Sequence, residues 1–296
     1  MTVEIERTVN DDIRYHISCL REQGGLLADS AAAAGLDALV PTCPAWRVRD
    51  LLRHTGFVHR WAAGYVTGQR AEMVSTPDDA GLLEQGPADR LLIGWFREGL
   101  AALVHGLEQA SPGLACWTFL DAPSPLAFWA RRQAHETTIH RADAQLAADP
   151  AGRVSPVPSR LAADGIDELV MGFGSRKVAR GLRADPPLVL GVHALDAGVR
   201  GEAGRSAGRD GTGRDGTDRD STDRDSTDRA AHWLITMGPD RAGVSRGRGA
   251  ADCDVSGRSS DLYLMLWNRS GITGLEIAGD TAALAAWSAQ FRVTWS

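Results

Sequence analysis

Several features that would assign a chain to a familiar class are missing from this 296-residue sequence. Its four cysteines lie far apart with no CxxC pair, which excludes a zinc ribbon and a disulfide framework. There is no basic surplus, because the net charge is -6 and Lys177 is the only lysine, so nucleic acid and anionic membrane are poor partners. No run reaches the roughly eighteen apolar residues of a membrane span.

The amino-terminal segment also lacks the apolar stretch of a secretory signal, since MTVEIERTVNDD is polar and acidic. We therefore expect a cytoplasmic protein with reduced thiols. Its expected partners are small molecules, without nucleic acid or membrane, and it is expected to be a monomer or small homo-oligomer. The length is sufficient for two domains, each with its own core.

Apolar residues recur at helical spacing through the first half of the sequence. The pattern predicts helices over about 10–34, 46–65, 87–110 and 125–148. Long helices joined by loops favour an antiparallel four-helix bundle. A fifth helix over 158–178 is expected to close this domain, which we place at residues 1–182.

The pattern changes after Pro187. Residues 188–192 and 232–237 are typical of strands, and 261–267 and 281–290 are typical of helices. This predicts a smaller carboxy-terminal α/β domain over 183–296, so the fold class is α plus α/β. The pentads GRDGT, GRDGT, DRDST and DRDST, inside a segment at 201–230, have almost nothing to bury and predict a disordered, low-complexity insertion.

The most informative motif is HETTIH, from His135 to His140. It resembles the HExxH zinc-protease signature with one residue too many. His135 and His140 therefore lie about 140° apart around a helix and cannot chelate together. Glu136 and His140 are four residues apart and share a face, as metal-binding pairs do.

That face also carries Leu126, Trp129 and Gln133, which predicts that Glu136 and His140 point into the core. Two interpretations remain open, a buried ion pair or a metal site. His54, on the apolar stripe of the second helix, favours the metal, because bundle sites are built from side chains on facing helices. Two imidazoles and one carboxylate also leave a coordination position open, as in catalytic zinc sites.

Other candidates are weaker. His59 lies about 140° around its helix from His54. We interpret His59 and His135 as surface residues or as neighbours of the ligands, and His105 as a minor candidate. The thiol of Cys43 precedes the second helix, whose amino terminus could stabilise a thiolate. The alternative for Cys43, a small residue in a proline-fixed loop, is favoured.

Two segments together are similar to a known family. TCPAWRVRDLLRH (42–54) and FWARRQAHETTIHRADAQLA (128–147) resemble the second and fourth helices of the mycothiol-dependent maleylpyruvate isomerase family. SSDLYLMLWNR, ending at Arg269, and the segment 277–280 resemble its carboxy-terminal domain. The resemblance covers both domains and most of the chain outside 200–230. The insertion and Asn268, where glycine is common in the family, depart from the pattern.

The resemblance implies a DinB-like bundle with a divalent metal, zinc by family, on His54, Glu136 and His140. It also implies that the metal binds and activates mycothiol, a low-molecular-weight thiol. The expected activity is isomerisation or S-transfer on a small electrophile such as maleylpyruvate. The catalytic group is then the metal-bound thiolate of the cofactor, with no protein nucleophile.

Two further residues have expected roles. Arg269 would pair with a carboxylate on substrate or thiol, although an exposed surface arginine fits equally well. Asp143, one turn beyond His140, would orient that metal ligand from behind, although a helix-surface salt bridge is equally economical. Two other functions use the same three ligands, a non-catalytic metal-stabilised ligand-binding or sensor protein, and a zinc hydrolase of the DinB-like superfamily.

Overall fold

The computed structural model describes residues 2–73, 86–176, 182–197, 230–239 and 242–291, with side chains from residue 7 onward. Four long helices form the amino-terminal unit: α1 (Thr2–Ala34), α2 (Val48–Gly68), α3 (Asp89–Gln109) and α4 (Pro125–Ala148). The predicted helices are thus confirmed, and α1 begins earlier than expected. None of the helices in these ranges is long and apolar enough to cross a membrane.

Local chemistry explains where the helices begin and end. Ser124 caps α4 by accepting the backbone N–H of Ala127 at 3.1 Å, and Pro125 supplies a fixed φ at the first helical position. The Asp50 carboxylate accepts the backbone N–H of Arg47 at 2.9 Å at the start of α2. Gly35 ends α1 with a φ of 81°, which glycine adopts without steric cost.

Helix α4 lies at the centre of the bundle. It packs most extensively against α1 and also contacts α2 and α3. Consecutive residues from Arg132 to Ala144 are all buried, so α4 is covered on every side rather than along one stripe. Its polar residues must therefore find partners inside the core, because an unpaired buried polar group costs about 1–3 kcal/mol.

Glycines bring α2 and α3 close together. A β carbon at Gly56 would overlap the Trp95 ring, and one at Gly99 would overlap the guanidinium of Arg60. The Arg60 guanidinium lies 3.8 Å from the centre of the Trp95 ring, a cation–π contact. This interface fixes α2, and hence His54, on a rigid support.

The carboxy-terminal unit contains a five-stranded mixed sheet. Its strands are β1 (Leu188–Ala194), β2 (Ala231–Met237), β3 (Gly243–Arg246), β4 (Cys253–Gly257) and β5 (Glu276–Gly279). The order is β3-β2-β1-β4-β5, with β1 and β4 parallel and the other neighbours antiparallel. Helices α5 (Ser159–Asp167), continued by a π-helical segment Glu168–Gly174, α6 (Ser259–Leu266) and α7 (Ala282–Gln290) complete it.

The predicted fold class, a helical bundle followed by a smaller α/β domain, is confirmed. By contacts the chain divides after Ser155, earlier than the boundary that we predicted at 182. Helix α5, expected to close the bundle, packs against α6 instead, and the backbone N–H of Val157 donates to Ser260 Oγ at 2.9 Å. Residues 201–229 of the predicted insertion lie outside the described residues.

Candidate metal centre

His54 on α2 and two residues of α4, Glu136 and His140, converge inside the bundle. One donor atom from each lies within 4.8 Å of the other two. His54 Nε2 is 3.4 Å from Glu136 Oε1, and His140 Nε2 is 3.0 Å from the same oxygen. All three residues are buried, with exposures of 1%, 3% and 5%.

The spacing of these atoms fits a small divalent cation. A tetrahedral zinc ion with ligands at about 2.0–2.2 Å places neighbouring donor atoms about 3.3–3.6 Å apart. The two measured separations to Glu136 Oε1 are 3.4 and 3.0 Å, so little movement is needed to accept the ion. Imidazole nitrogens and a carboxylate are also the ligand types that zinc takes in catalytic sites.

The second oxygen of Glu136 has its own partner. Arg132, one turn earlier on α4 and fully buried, donates from Nη2 to Glu136 Oε2 at 3.0 Å. Burial by itself would raise the pKa of Glu136. His140, through its charge and hydrogen bond, together with His54 and Arg132, holds that pKa well below the usual range. Glu136 is therefore a carboxylate at neutral pH.

His140 is oriented from behind by a short chain of polar groups. Its Nδ1 lies 2.9 Å from Asp143 Oδ2, and the Thr42 hydroxyl donates to Asp143 Oδ1 at 2.5 Å. Burial lowers the pKa of His140, but the carboxylates of Glu136 and Asp143 outweigh it and raise the pKa to about 9. Asp143 accepts the Nδ1 proton, so Nε2 is the atom turned towards Glu136 and a metal.

The loop before α2 covers this cluster. The ring of Trp46 lies 4.9 Å from the His54 ring and 6.3 Å from the His140 ring, centre to centre. Cys43 is half-buried in the same loop, in a turn where its backbone N–H donates to the Val40 carbonyl. Helix α2 starts five residues later, so the thiol is not at the helix amino terminus.

The suggestion that His59 and His135 are surface residues is wrong, because both are completely buried. His59 Nε2 lies 2.8 Å from Thr137 Oγ1, on the side of α4 next to the cluster. Burial lowers the pKa of His59 to about 3, which makes it a neutral core residue. His135 packs near His16, with ring centres 5.9 Å apart, and His105 is exposed.

An aromatic cluster lies about two to three helical turns from the ligands. Trp61 and Tyr65 from α2 pack on Trp129 of α4, with ring centres 5.2 and 5.1 Å apart. The remaining members are Trp117, Phe119 and Phe128. The sequence contained these residues as part of an apolar pattern, but nothing in the spacing indicated that they come together beside the ligands.

Arg269 lies in the carboxy-terminal unit, directly after α6. It is half-buried, and its Nη1 donates to the Trp267 carbonyl at 2.7 Å. The preceding Asn268 has a φ of 58°, and its backbone N–H donates to the Met265 carbonyl at 2.9 Å. Asparagine is the residue other than glycine that most readily takes this left-handed conformation at a helix end. This explains why Asn268 can replace a glycine here.

These features define a DinB-like helical bundle joined to a small α/β domain. The resemblance inferred from the motifs is confirmed, because residues 18–145 match the family described as the mycothiol maleylpyruvate isomerase N-terminal domain. That match contains all three clustered side chains. No curated protein matches the chain.

Two crystal structures are similar to the whole chain. One is of mycothiol-dependent maleylpyruvate isomerase, with a TM-score of 0.50 and 13% identity, and the other is of its histidine-to-alanine mutant, with 0.52 and 12%. Each alignment covers 90% of this chain and 92% of the other. At this identity the likeness establishes a shared fold across both units.

Proposed function

We propose that this protein is a metal-dependent enzyme that uses a low-molecular-weight thiol of the mycothiol type to isomerise a small electrophile, or to join that thiol to it through sulfur. The metal, zinc by the chemistry of its ligands, is held by His54, Glu136 and His140. The observation that carries the proposal is the approach of two imidazole nitrogens to one buried carboxylate oxygen.

The surroundings of the cluster allow a cation to replace a proton without leaving a buried charge unpaired. A buried charge that loses its partner costs about 3–5 kcal/mol. The Glu136 carboxylate therefore needs a positive partner both with and without a metal. Without a metal, the proton on His140 and the guanidinium of Arg132 compensate Glu136. A divalent cation would take the place of that proton, while Arg132 continues to hold Oε2.

Each residue of the cluster has a role that its contacts support. Asp143 and Thr42 keep the Nδ1 proton of His140 away from the ligand side. Glu136 presents Oε1 between the two imidazoles, and Arg132 prevents its rotation. Trp46 screens His54 from water. Three protein ligands leave a tetrahedral ion with an open position.

A zinc ion with an open position binds a thiol and lowers its pKa, which supplies a nucleophilic thiolate near neutral pH. The protein's own cysteines are poorly suited to that task. Burial raises the pKa of both Cys116 and Cys253. Cys43 lies in a turn outside the amino terminus of α2. The nucleophile is therefore expected to be an added thiol.

For an unsaturated acid such as maleylpyruvate, addition of the thiol to the double bond would permit rotation about the resulting single bond. Expulsion of the thiol would then restore the double bond in the other geometry, so the thiol is regenerated. The similarity of residues 18–145 to the isomerase family supports this substrate class. Arg269 is proposed to bind the substrate carboxylate.

The test is turnover of maleylpyruvate by zinc-loaded protein with and without mycothiol. We expect activity only with the thiol, and loss of activity in a Glu136→Ala variant. A Cys43→Ser variant is the matched control and should keep its activity. Thiol-independent hydrolysis would favour the hydrolase alternative, and tight ligand binding without turnover would favour the sensor alternative.

A further inference from the structure

The Gln133 side chain is an anomaly at the centre of the bundle. It is completely buried on α4, and among the described residues neither its amide nitrogen nor its amide oxygen has a hydrogen-bond partner. Leaving a buried polar atom unsatisfied costs about 1–3 kcal/mol, so Gln133 destabilises the folded bundle relative to an apolar residue at the same position.

The position of Gln133 relates it to the candidate metal centre. It lies three residues before Glu136 and seven before His140, so the three residues share one face of α4. Helices α2 and α4 run antiparallel, since His54 meets Glu136 and His140 while Trp61 meets Trp129. Gln133 therefore lies between the level of the metal ligands and the level of the aromatic cluster.

A second unsatisfied group is found on α2, at the level of the aromatic cluster. Trp61 lies seven residues after His54, on the same face of its helix. Its indole Nε1 is buried and, within the described part of the chain, has no acceptor. By contrast, the indole N–H of neighbouring Trp129 donates to the Trp117 carbonyl at 3.1 Å. The two neighbouring indoles therefore differ, since Trp129 has an acceptor within the protein and Trp61 has none among the described residues.

We propose that Gln133 and Trp61 form a subsite that recognises an amide group on the thiol that binds the metal, a proposal that rests on the proposed function. The hydrogen-bonding capacity of the two side chains selects this chemistry. The Gln133 Nε2 and the indole N–H need acceptors, whereas the Gln133 oxygen needs a donor. A carboxylate supplies acceptors only and would leave that oxygen unsatisfied. A secondary amide supplies both a carbonyl oxygen and an N–H.

The test compares two small thiols that differ in one group. N-acetylcysteamine carries an amide two carbons from its sulfur, and 2-mercaptoethyl acetate carries an ester at the same place, without the N–H. Titration calorimetry with zinc-loaded protein measures both affinities. We expect the amide to bind about tenfold more tightly, because the ester has no N–H and leaves the buried Gln133 oxygen unsatisfied.

Variants of Gln133 and Trp61 test whether these two side chains cause the preference for the amide. Gln133→Met keeps the volume and should reduce the amide preference to near unity while zinc content is unchanged. Trp61→Phe should weaken the binding of both thiols about equally, since amide and ester carbonyls both accept. Trp129→Phe is the matched control, because its N–H is already satisfied within the protein, and it should leave the preference intact.

Each outcome has a distinct meaning. Equal binding of the two thiols by the wild-type protein, or a preference that survives in Gln133→Met, would overturn the subsite and leave the metal proposal standing. If neither thiol binds the zinc-loaded protein, or if the protein takes up no zinc, the proposed function itself fails. Should Gln133→Met not fold, the wild-type comparison and Trp61→Phe still decide the matter.

Discussion

Among the clusters of histidine and acid in the described part of the chain, one in the bundle and one on the sheet are organised differently. In the bundle, the nitrogens of His54 and His140 both approach one oxygen of Glu136. On the sheet, Asp254, His193 and His232 follow one another in a line, with contacts of 2.6 and 3.0 Å, and Arg248 Nε lies 3.1 Å from the far nitrogen of His232.

In the linear cluster of Asp254, His193 and His232, every imidazole nitrogen has a hydrogen-bond partner. If Arg248 donates to His232 Nε2, then His232 Nδ1 donates to His193 and His193 Nε2 donates to Asp254, so each imidazole has one donor and one acceptor nitrogen. Burial, helped by the charge of Arg248, lowers the pKa of His232 in agreement. The converging cluster differs, because His140 with its Nδ1 proton on Asp143 would, when neutral, aim the lone pair of Nε2 at Glu136. The approach of two imidazole nitrogens to one carboxylate oxygen, more than the mere presence of histidine and acid, therefore indicates a cation site.

The largest expected effect comes from removing the shared oxygen. Glu136→Ala should weaken zinc binding by more than about a hundredfold, beyond the loss typical of an outer hydrogen-bond partner. Asp254→Ala, in the linear cluster, should leave zinc binding unchanged. Competition titration against a chelating dye measures both, and equal losses in the two variants would remove the distinction between the clusters.

Removal of the orienting carboxylate should have a smaller effect. Asp143→Ala leaves all three ligands but no longer fixes the Nδ1 proton of His140, so zinc affinity should fall about 10–100-fold. Asp149→Ala, which removes contacts with Arg153 and with the Ala151 backbone N–H just beyond the end of α4, is the control. Unchanged affinity in Asp143→Ala would show that the Asp143 contact is only structural.

His59 predicts a pH effect on stability. Its folded-state pKa of about 3 lies below the ordinary 6.5, so the unfolded chain binds more protons between these values. The contribution of neutral His59 is complete above pH 6.5 and is lost as pH falls, by up to about 1.4 kcal/mol per pH unit. His59→Gln should flatten the fall in unfolding free energy below pH 6.5.

Urea unfolding at several pH values measures this slope. The exposed His105 supplies the control, and His105→Gln should reproduce the wild-type slope. An unaltered slope in the His59→Gln variant would mean that His59 is protonated in the folded protein.

The smallest effect is expected on the sheet. Asp254 is half-exposed, so His193→Gln should change the unfolding free energy by no more than about 1 kcal/mol and leave zinc content unchanged. A zinc loss in this variant would show that the linear cluster, too, holds metal. Thermal unfolding and elemental analysis of the same preparation provide the two readouts.

The sequence predicted the four bundle helices and the convergence of His54, Glu136 and His140, because helical spacing is regular and only one face of α2 carries its apolar residues. It left a surface position open for His59 and His135, and their complete burial excludes that position. Spacing assigns one core face to a helix, whereas α4 is covered by α1, α2 and α3 and has buried residues on all sides.

Other features had no local signal. The Thr42–Asp143 contact and the aromatic cluster depend on long-range packing. The assignment of α5 to the second unit depends on its contact with α6, about a hundred residues further along the chain.

The most direct test of the central claim is the zinc content of the purified wild-type protein and its His54→Ala variant, measured by elemental analysis after dialysis against metal-free buffer. The metal-centre account predicts equimolar zinc in the wild type and little in the variant, because His54 supplies the only described ligand from α2. Equimolar zinc retained in His54→Ala, or none in either protein, would contradict it.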